Sequence, residues 1–334
     1  MKKPSIKDIA SKAGVSPSTV SSVLNGKAKH MRISDVVAAR VKKIALEEGY
    51  QPNTIAVSLR TGRSKIIGLI VEDIANPFFS ALARTIEDEA LKLGYRIVYC
   101  STENDLERGN DLLYVLGQTH VDGYIITPVP GMELKLKELK DQGRPMVFMD
   151  RFIASLEVPC VLINNYDGVK QGMDYLLKRG YNCIGYVSTN SSQVQMKARM
   201  SAYIDKVNTD LQKAPLLLEI DFLMDRTKIK AAVKEFVIDN NLDAVFFATN
   251  YLGVVGLEII NELGWKIPDQ IGIVCFDDTD LFKLYPPGIT AVRQPVQEIA
   301  EHSVKMLIDQ IQGKLASSES QLLLKGELMV RGSA

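Results

Sequence analysis

The 334-residue sequence predicts a small all-α headpiece and linker at the N-terminus, followed by a two-lobed α/β core with parallel sheets. Three observations predict it. Apolar residues in the first 50 positions recur at helical spacing. From Ile66 onward, short β-rich runs alternate with amphipathic helical stretches in two successive series. Charge also divides along the chain. Residues 1–65 hold 13 Lys/Arg against 4 Asp/Glu, and the remainder holds 27 against 36, so a formal net charge of zero hides a basic head on an acidic body.

The headpiece opens with Ser5 to Asn25, SIKDIASKAGVSPSTVSSVLN. Ile6, Ile9, Ala10 and Ala13 fall at i, i+3, i+4 and i+7, which gives a first helix one apolar face. Gly14-Val15-Ser16 forms a turn. Ser16 suits the N-cap of a second helix and Pro17 its first turn. Val20, Val23 and Leu24 make that helix's inward stripe, leaving Ser18, Thr19, Ser21 and Ser22 facing out. Two helices joined by a tight glycine-containing turn describe a helix-turn-helix, whose second helix enters the DNA major groove. An ordinary helical hairpin would share the pattern but not the basic charge. A loop with Lys27, Lys29, His30 and Arg32 follows, then a third helix over about Ser34 to Glu48, ended by Gly49. Behind it, Thr54 to Leu59 is too short to hold a helix alone. It is either a flexible linker or a segment that orders when a partner holds it.

Composition narrows the class. With 46% hydrophobic residues the chain can bury large cores and is not a disordered protein. Cys100, Cys160, Cys183 and Cys275 are scattered and lie mostly in apolar runs, which suggests buried thiols in a reducing compartment. Among them and the three histidines no metal-ligand spacing occurs, so no metal or cofactor is expected. No signal-peptide pattern opens the sequence, and Ile66 to Val71 is far too short to cross a bilayer. The expected setting is cytoplasmic, without membrane contact.

In the core, strands are expected at Ile66–Val71, Tyr95–Tyr99, Gly123–Ile126 and Met146–Met149. A second series follows at Val161–Ile163, Ile184–Val187, Ala244–Phe247 and Ile271–Phe276. Open parallel sheets bind ligands outside the carboxyl ends of their strands. Here those ends carry Asp73 to Phe79, Asp150-Arg151, Asn164-Asn165, Asn250 and Asp277-Asp278, which points to a cleft between two lobes.

The sequence resembles the lactose/galactose repressor family of bacterial transcription regulators across nearly its whole length. The resemblance rests on IKDIASKAGVSPSTVSSVLNG, YQPN, SLRTGRS, IIGLIVEDIANPFFS, VDGYIITP, FMDR, VFFATN, GIVCFDD and AVRQP, in that order. It implies a helix-turn-helix DNA-binding domain over residues 1–51, a hinge helix or linker over 52–64, and a two-lobed effector-binding and dimerisation domain over 65–334. It implies a homodimer on a pseudo-palindromic operator, with residues near Asn53 to Leu59 folding on DNA. Leu59 matches the family's minor-groove wedge, and such wedges kink the duplex.

By motif position, Pro17, Ser18 and Ser22 fill the main base-reading slots. These are small residues where relatives often carry long ones, so Thr19, Ser21, the hinge and DNA deformability take more of the recognition. Ser5, Ser16 and Asn25 match phosphate-contacting positions.

The core resembles periplasmic sugar-binding proteins of the ribose type. Its effector-binding positions fall on Asn76, Phe78, Phe79, Asp150, Arg151, Arg199, Asn250, Asp277 and Gln294. Phe78 and Phe79 can stack on the C–H face of a sugar ring, and the polar groups can pair with neighbouring hydroxyls. Equally, Asp150-Arg151 could be a local ion pair and Phe79 a core residue. A carbohydrate-like effector is the expectation. An acidic sugar or sugar phosphate would want further cations near Arg151 and Arg199. The chain departs from relatives at Tyr251 and Asn164, where Asp is usual, and at Cys275, where Gly is common.

The expected function is therefore a ligand-controlled, sequence-specific DNA-binding regulator, a repressor. A sugar receptor for transport would use residues 66–334 alone, and the basic head argues against it. An α/β enzyme is disfavoured because no GxGxxG, GxxxxGK[ST] or GxSxG motif occurs.

Overall fold

The computed structural model describes residues 4–50, 62–222, 224–314 and 321–334. The chain divides into two compact units, one up to Ser64 and one from Lys65 to Ala334.

The first unit contains α1 (Ile6–Ala13), α2 (Pro17–Leu24) and α3 (Asp35–Glu47). Ser5 caps α1 through a capping box with Asp8, and Gly14 ends it at φ 64°, a left-handed conformation that glycine adopts without strain. Ser16 and Ser34 cap α2 and α3. Ile9, Ala10, Ala13, Val20, Val23, Ala38, Val41 and Ala45 form the core between the three helices. Ile6 and Leu24, expected inside, are only half-buried and pack at its edge.

The second unit holds two six-stranded sheets. One lobe contains β1 (Ile66–Val71), β2 (Arg96–Ser101), β3 (Gly123–Ile126), β4 (Met146–Met149), β5 (Cys160–Ile163) and β11 (Gln321–Leu324). These lie in the order β11-β5-β4-β3-β1-β2, all parallel. The other contains β6 (Ile184–Thr189), β7 (Leu216–Ile220), β8 (Ala244–Phe247), β9 (Gly272–Phe276), β10 (Thr290–Arg293) and β12 (Glu327–Met329). Their order is β12-β10-β9-β8-β6-β7, and only β12 runs antiparallel.

Helices α4 (Pro77–Lys92), α5 (Leu106–Gln118) and α6 (Glu133–Asp141) connect the strands of the first lobe. Those of the second are connected by α7 (Asn165–Lys178), α8 (Val194–Lys206), α9 (Arg226–Asp239), α10 (Asn250–Leu263) and the short α11 (Asp280–Leu284). The last helix, α12 (Val296–Ile311), follows β10 but packs on α4 and the first sheet. The chain thus passes between the lobes three times: after β5, after β10 and after β11.

The central strands are buried along their length because helices cover both faces, as parallel sheets require. Strands β7, β10, β11 and β12 were not among those expected. They are short and each has at least one exposed residue, so their apolar signal is weak. Close approach is required at Gly256 on α10, where an added Cβ would sit 2.1 Å from the Phe247 ring. None of the four cysteines is in a disulfide. Cys160 and Cys275 are buried, while Cys100 and Cys183 are half-buried. Burial pushes the Cys160 thiol up to about 11, and Cys275 well above its ordinary value. No described helix is long and apolar enough to cross a membrane.

Gly256→Ala is expected to destabilise the core by about 1–3 kcal/mol through overpacking. Urea denaturation measures it, and an unchanged midpoint would mean that Phe247 has room to move. Alkylation of the native protein at neutral pH should reach Cys100 or Cys183 before Cys160 or Cys275, since the thiolate is the reactive form. Equal labelling of all four would contradict the burial.

Candidate functional site

In the helix-turn-helix unit, local bonds already hold most of the polar side chains expected to meet DNA. The Ser16 hydroxyl accepts from the Thr19 N–H at 3.2 Å and lies 2.7 Å from Ser18 Oγ and 2.9 Å from Thr19 Oγ1. Asn25 donates to the Ser21 carbonyl at 2.7 Å and to its hydroxyl at 3.2 Å. Ser5 shares two 2.7 Å contacts with the Asp8 carboxylate. Ser5, Ser16, Pro17, Ser18 and Asn25 are exposed, whereas Thr19, Ser21 and Ser22 are half-buried. The exposed surface of α2 is therefore short, hydroxyl-rich and uncharged. Asn53 and Leu59 lie outside the described residues, as does most of the expected hinge.

In the second unit a cavity of about 380 Å³ lies between the lobes, walled by residues that follow the strands. From the first lobe come Glu72 after β1, Asn104 after β2 and Asp150-Arg151 after β4. The second lobe supplies Gln193 after β6, Asp221 after β7, Thr249 and Tyr251 after β8, Asp277 after β9 and Gln294 after β10. Parallel sheets point all these ends the same way, which is why residues so distant in sequence meet. Asp150 and Asp277 occupy equivalent places in the two lobes, each the residue just past its strand, at φ 67° and 68°. Aspartate tolerates this left-handed backbone better than most side chains, and strain of this kind clusters at ligand sites.

The innermost charges of the cavity are paired. Arg151 donates through Nε to Asp150 at 3.3 Å, through Nη1 to Asn104 at 2.9 Å, and through Nη2 to Glu72 in a very short contact. Arg199, on α8, donates through Nε to the Asn165 side chain at 2.7 Å. Its Nη1 reaches the Ala248 carbonyl at 2.7 Å and Asp277 at 3.4 Å. The Arg199 guanidinium also stacks 3.5 Å above the Phe276 ring, a cation–π contact in a dry setting. Gln294 donates to Asp277 at 2.6 Å. Burial pushes the Asp150 carboxyl upward, outweighing Arg151 and Arg199, and also raises the Tyr251 phenol. Two buried acceptors, Gln195 Oε1 and Gln294 Oε1, have no hydrogen-bond partner among the described residues. Such atoms are costly unless a ligand or solvent meets them.

Eight of the nine expected effector residues line this cavity: Asn76, Phe78, Phe79, Asp150, Arg151, Arg199, Asp277 and Gln294. The two phenylalanines pack edge to face, centroids 5.0 Å apart, and belong to the core as well. Asn250 does not line it. Its amide instead pairs with Asn76 across the lobes, donating at 2.9 Å and accepting at 3.4 Å. A second bridge joins Gln193 to Asn104 at 3.0 Å. Beyond the asparagine pair lies an apolar cavity of about 570 Å³, which shares Glu72, Asn76, Phe222 and Tyr251 with the first.

Glu72, Asn104, Gln193, Gln195 and Tyr251 were not among the expected site residues. Glu72 stands one position before the stretch that the strand-end rule singled out. Asp278 turns away into its own lobe, where Arg331 holds it with two bonds of 2.8 and 2.7 Å. Among the described residues no cluster of His, Cys, Asp and Glu could hold a metal ion.

Comparison with known proteins places this geometry in context. Residues 5–53 match the model of bacterial regulatory proteins of the lacI family, and residues 173–334 match the periplasmic binding protein-like domain. The ribose operon repressor of Halalkalibacterium halodurans is 32% identical over 310 residues, covering 92% of this chain and 91% of that protein. The transcriptional regulator KdgR of Bacillus subtilis is 30% identical, covering 98% and 97%. Among solved structures, the lac repressor dimer bound to operator and the anti-inducer ONPF superposes with a TM-score of 0.85. It is 23% identical and covers 99% of both chains, a likeness of fold. The complex of the regulator CelR with cellobiose has a TM-score of 0.70 at 26% identity, covering 99% of this chain and all of that one.

Replacing Arg199 with Met should strand Asp277 and the Asn165 oxygen in a buried setting. A loss of about 3–5 kcal/mol is expected, as when one partner of a buried ion pair is removed. Denaturant titration reads it, and a loss below about 1 kcal/mol would mean that Arg199 is dispensable to the cavity wall.

Proposed function

The chain belongs to the lacI family of bacterial regulatory proteins, and on that premise we propose a specific working arrangement for it. It is a ligand-controlled, sequence-specific DNA-binding transcription regulator, a repressor, whose effector is a sugar or sugar derivative. The observation that carries this reading is the pairing of two devices in one chain. One is a basic helix-turn-helix unit; the other is a polar, aromatic-walled cavity between the lobes of an α/β unit. The relatives named above are regulators of transcription. Nothing in the chain's motifs favours an enzyme or a transport receptor over them.

In this reading residues 1–51 bind DNA, residues 52–64 form the hinge, and residues 65–334 bind the effector and pair two copies. Two copies place two recognition helices on the half-sites of a pseudo-palindrome. Ser5, Ser16 and Asn25 contact phosphates. Pro17, Ser18, Thr19, Ser21 and Ser22 face the bases, Leu59 wedges into a minor-groove base step, and Asn53 contacts the DNA. Because the α2 surface is short and uncharged, much of the specificity comes from deforming the DNA. A sugar in the cavity lies against the Phe78 and Phe79 rings. It takes hydrogen bonds from Arg151 and Arg199 or gives them to Asp150, Asp277 and Gln294. A ligand that binds the closed and open arrangements of the lobes unequally shifts the equilibrium between them, and with it the affinity for DNA.

The experiment is a binding titration of the purified protein against DNA from its own promoter region, with and without a panel of sugars. Saturable binding that one sugar alters is expected, and sugar binding without any specific DNA site would favour the receptor instead. Affinity should fall about a thousandfold or more between roughly 50 and 200 mM salt if about six or more phosphates are contacted. A flat salt curve would contradict the basic-head argument. Asp277→Asn, which tolerates the same backbone, should keep DNA binding and lose the response to sugar. An unchanged dose-response would place the effector elsewhere.

A further inference from the structure

We propose that the cavity selects its ligand by charge, accepting sugars that carry no negative charge and rejecting sugar phosphates and sugar acids. This rests on the sugar-effector reading and narrows it. Six carboxylates and two guanidiniums line the cavity, which has no lysine or histidine in its wall. Glu103 is offset from outside by Arg108 at 2.6 Å, so the carboxylates that decide the charge are Glu72, Asp150 and Asp277 around the two arginines.

What decides the matter is how the two arginines are used. A guanidinium grips a phosphate or carboxylate by presenting two parallel N–H groups to it. Arg151 has Nε, Nη1 and Nη2 each turned to a protein oxygen, on Asp150, Asn104 and Glu72. Arg199 gives Nε to Asn165, and Nη1 to the Ala248 carbonyl and Asp277. Three of the five N–H groups of each arginine are thus spent on the protein, and each guanidinium already faces carboxylate charge, Arg151 from Glu72 and Asp150 and Arg199 from Asp277. An anionic ligand must then either displace Glu72, leaving that carboxylate buried without its partner, or rest its charge beside Asp150 and Asp277. Both are uphill, since like charges brought together at a binding site repel. A proton on Asp150 would bring the inner charges of Glu72, Asp277, Arg151 and Arg199 into balance, and would still leave no spare cation. What the wall offers instead is acceptors. Gln195 Oε1 and Gln294 Oε1 are buried without partners among the described residues, as is the Thr249 hydroxyl, which can donate or accept; sugar hydroxyl groups suit all three.

The test is calorimetric titration of the full chain with matched sets: glucose, glucose 6-phosphate, gluconate and glucuronate, and the same sets built on galactose and ribose. At least one neutral sugar should bind, with its phosphate and its acid weaker by about tenfold or more. Glu72→Gln, nearly the same shape, removes one negative charge and loosens the hold on Arg151. It should raise the affinity for the anionic member of the set, relative to the neutral one, by about tenfold. An anionic sugar that binds the wild-type chain more tightly than its neutral counterpart overturns the proposal and leaves the sugar reading standing. If no member of any set binds a chain that still binds its DNA, the sugar reading falls and the charge rule falls with it.

Discussion

Alternating charge runs across the cleft from Glu72 through Arg151, Asp150 and Arg199 to Asp277, and what the cleft can do depends on it. Buried ions are tolerable only when they face opposite charge and have their hydrogen bonds met. The fold meets that condition with five groups from four separate segments. Each sheet contributes an aspartate at the residue just past a central strand, in a left-handed backbone that turns the carboxylate toward the gap. Each aspartate faces an arginine anchored elsewhere: Arg151 beside Asp150, and Arg199 on the helix opposite Asp277. The two lobes thus present similar chemistry to the space between them. Any ligand there touches both.

Binding between lobes becomes control through the connections. The chain passes from one lobe to the other three times, and the Asn76–Asn250 and Asn104–Gln193 pairs bridge the gap at two further places. The first is a reciprocal pair of amide hydrogen bonds and the second a single one, each bond worth about 0.5–1.5 kcal/mol net, so a sugar making several bonds of its own can outweigh them. A conformational change driven this way needs only a difference in affinity between two arrangements, not a large binding energy.

Much of this was legible in the chain before any coordinates. Helical spacing gave the three helices, and the capping residue Ser16 marked where the second begins. Central strands such as Gly123–Ile126 and Ala244–Phe247 stood out because they are apolar on both faces. Edge strands such as Gln321–Leu324 alternate over only four residues, and nothing local separates them from loop. Strand ends identified most of the cavity wall, since sheet geometry alone brings them together. Pairings were not legible. Which carboxylate neutralises which arginine depends on lobe placement, so Glu72 went unremarked and Asn250 was expected in the cavity instead of on Asn76.

A ligand-controlled regulator requires that the cavity and the DNA-binding unit be energetically linked. Linkage is reciprocal: a sugar that changes operator affinity by some factor must have its own affinity changed by the same factor when operator is bound. The direct measurement is the dissociation constant of one binding sugar, determined on the free protein and again on the protein saturated with operator DNA. Two different constants are expected, with a ratio equal to the factor by which that sugar shifts operator binding. Identical constants would contradict that linkage, and would leave a DNA-binding protein and a sugar-binding protein that merely share a chain.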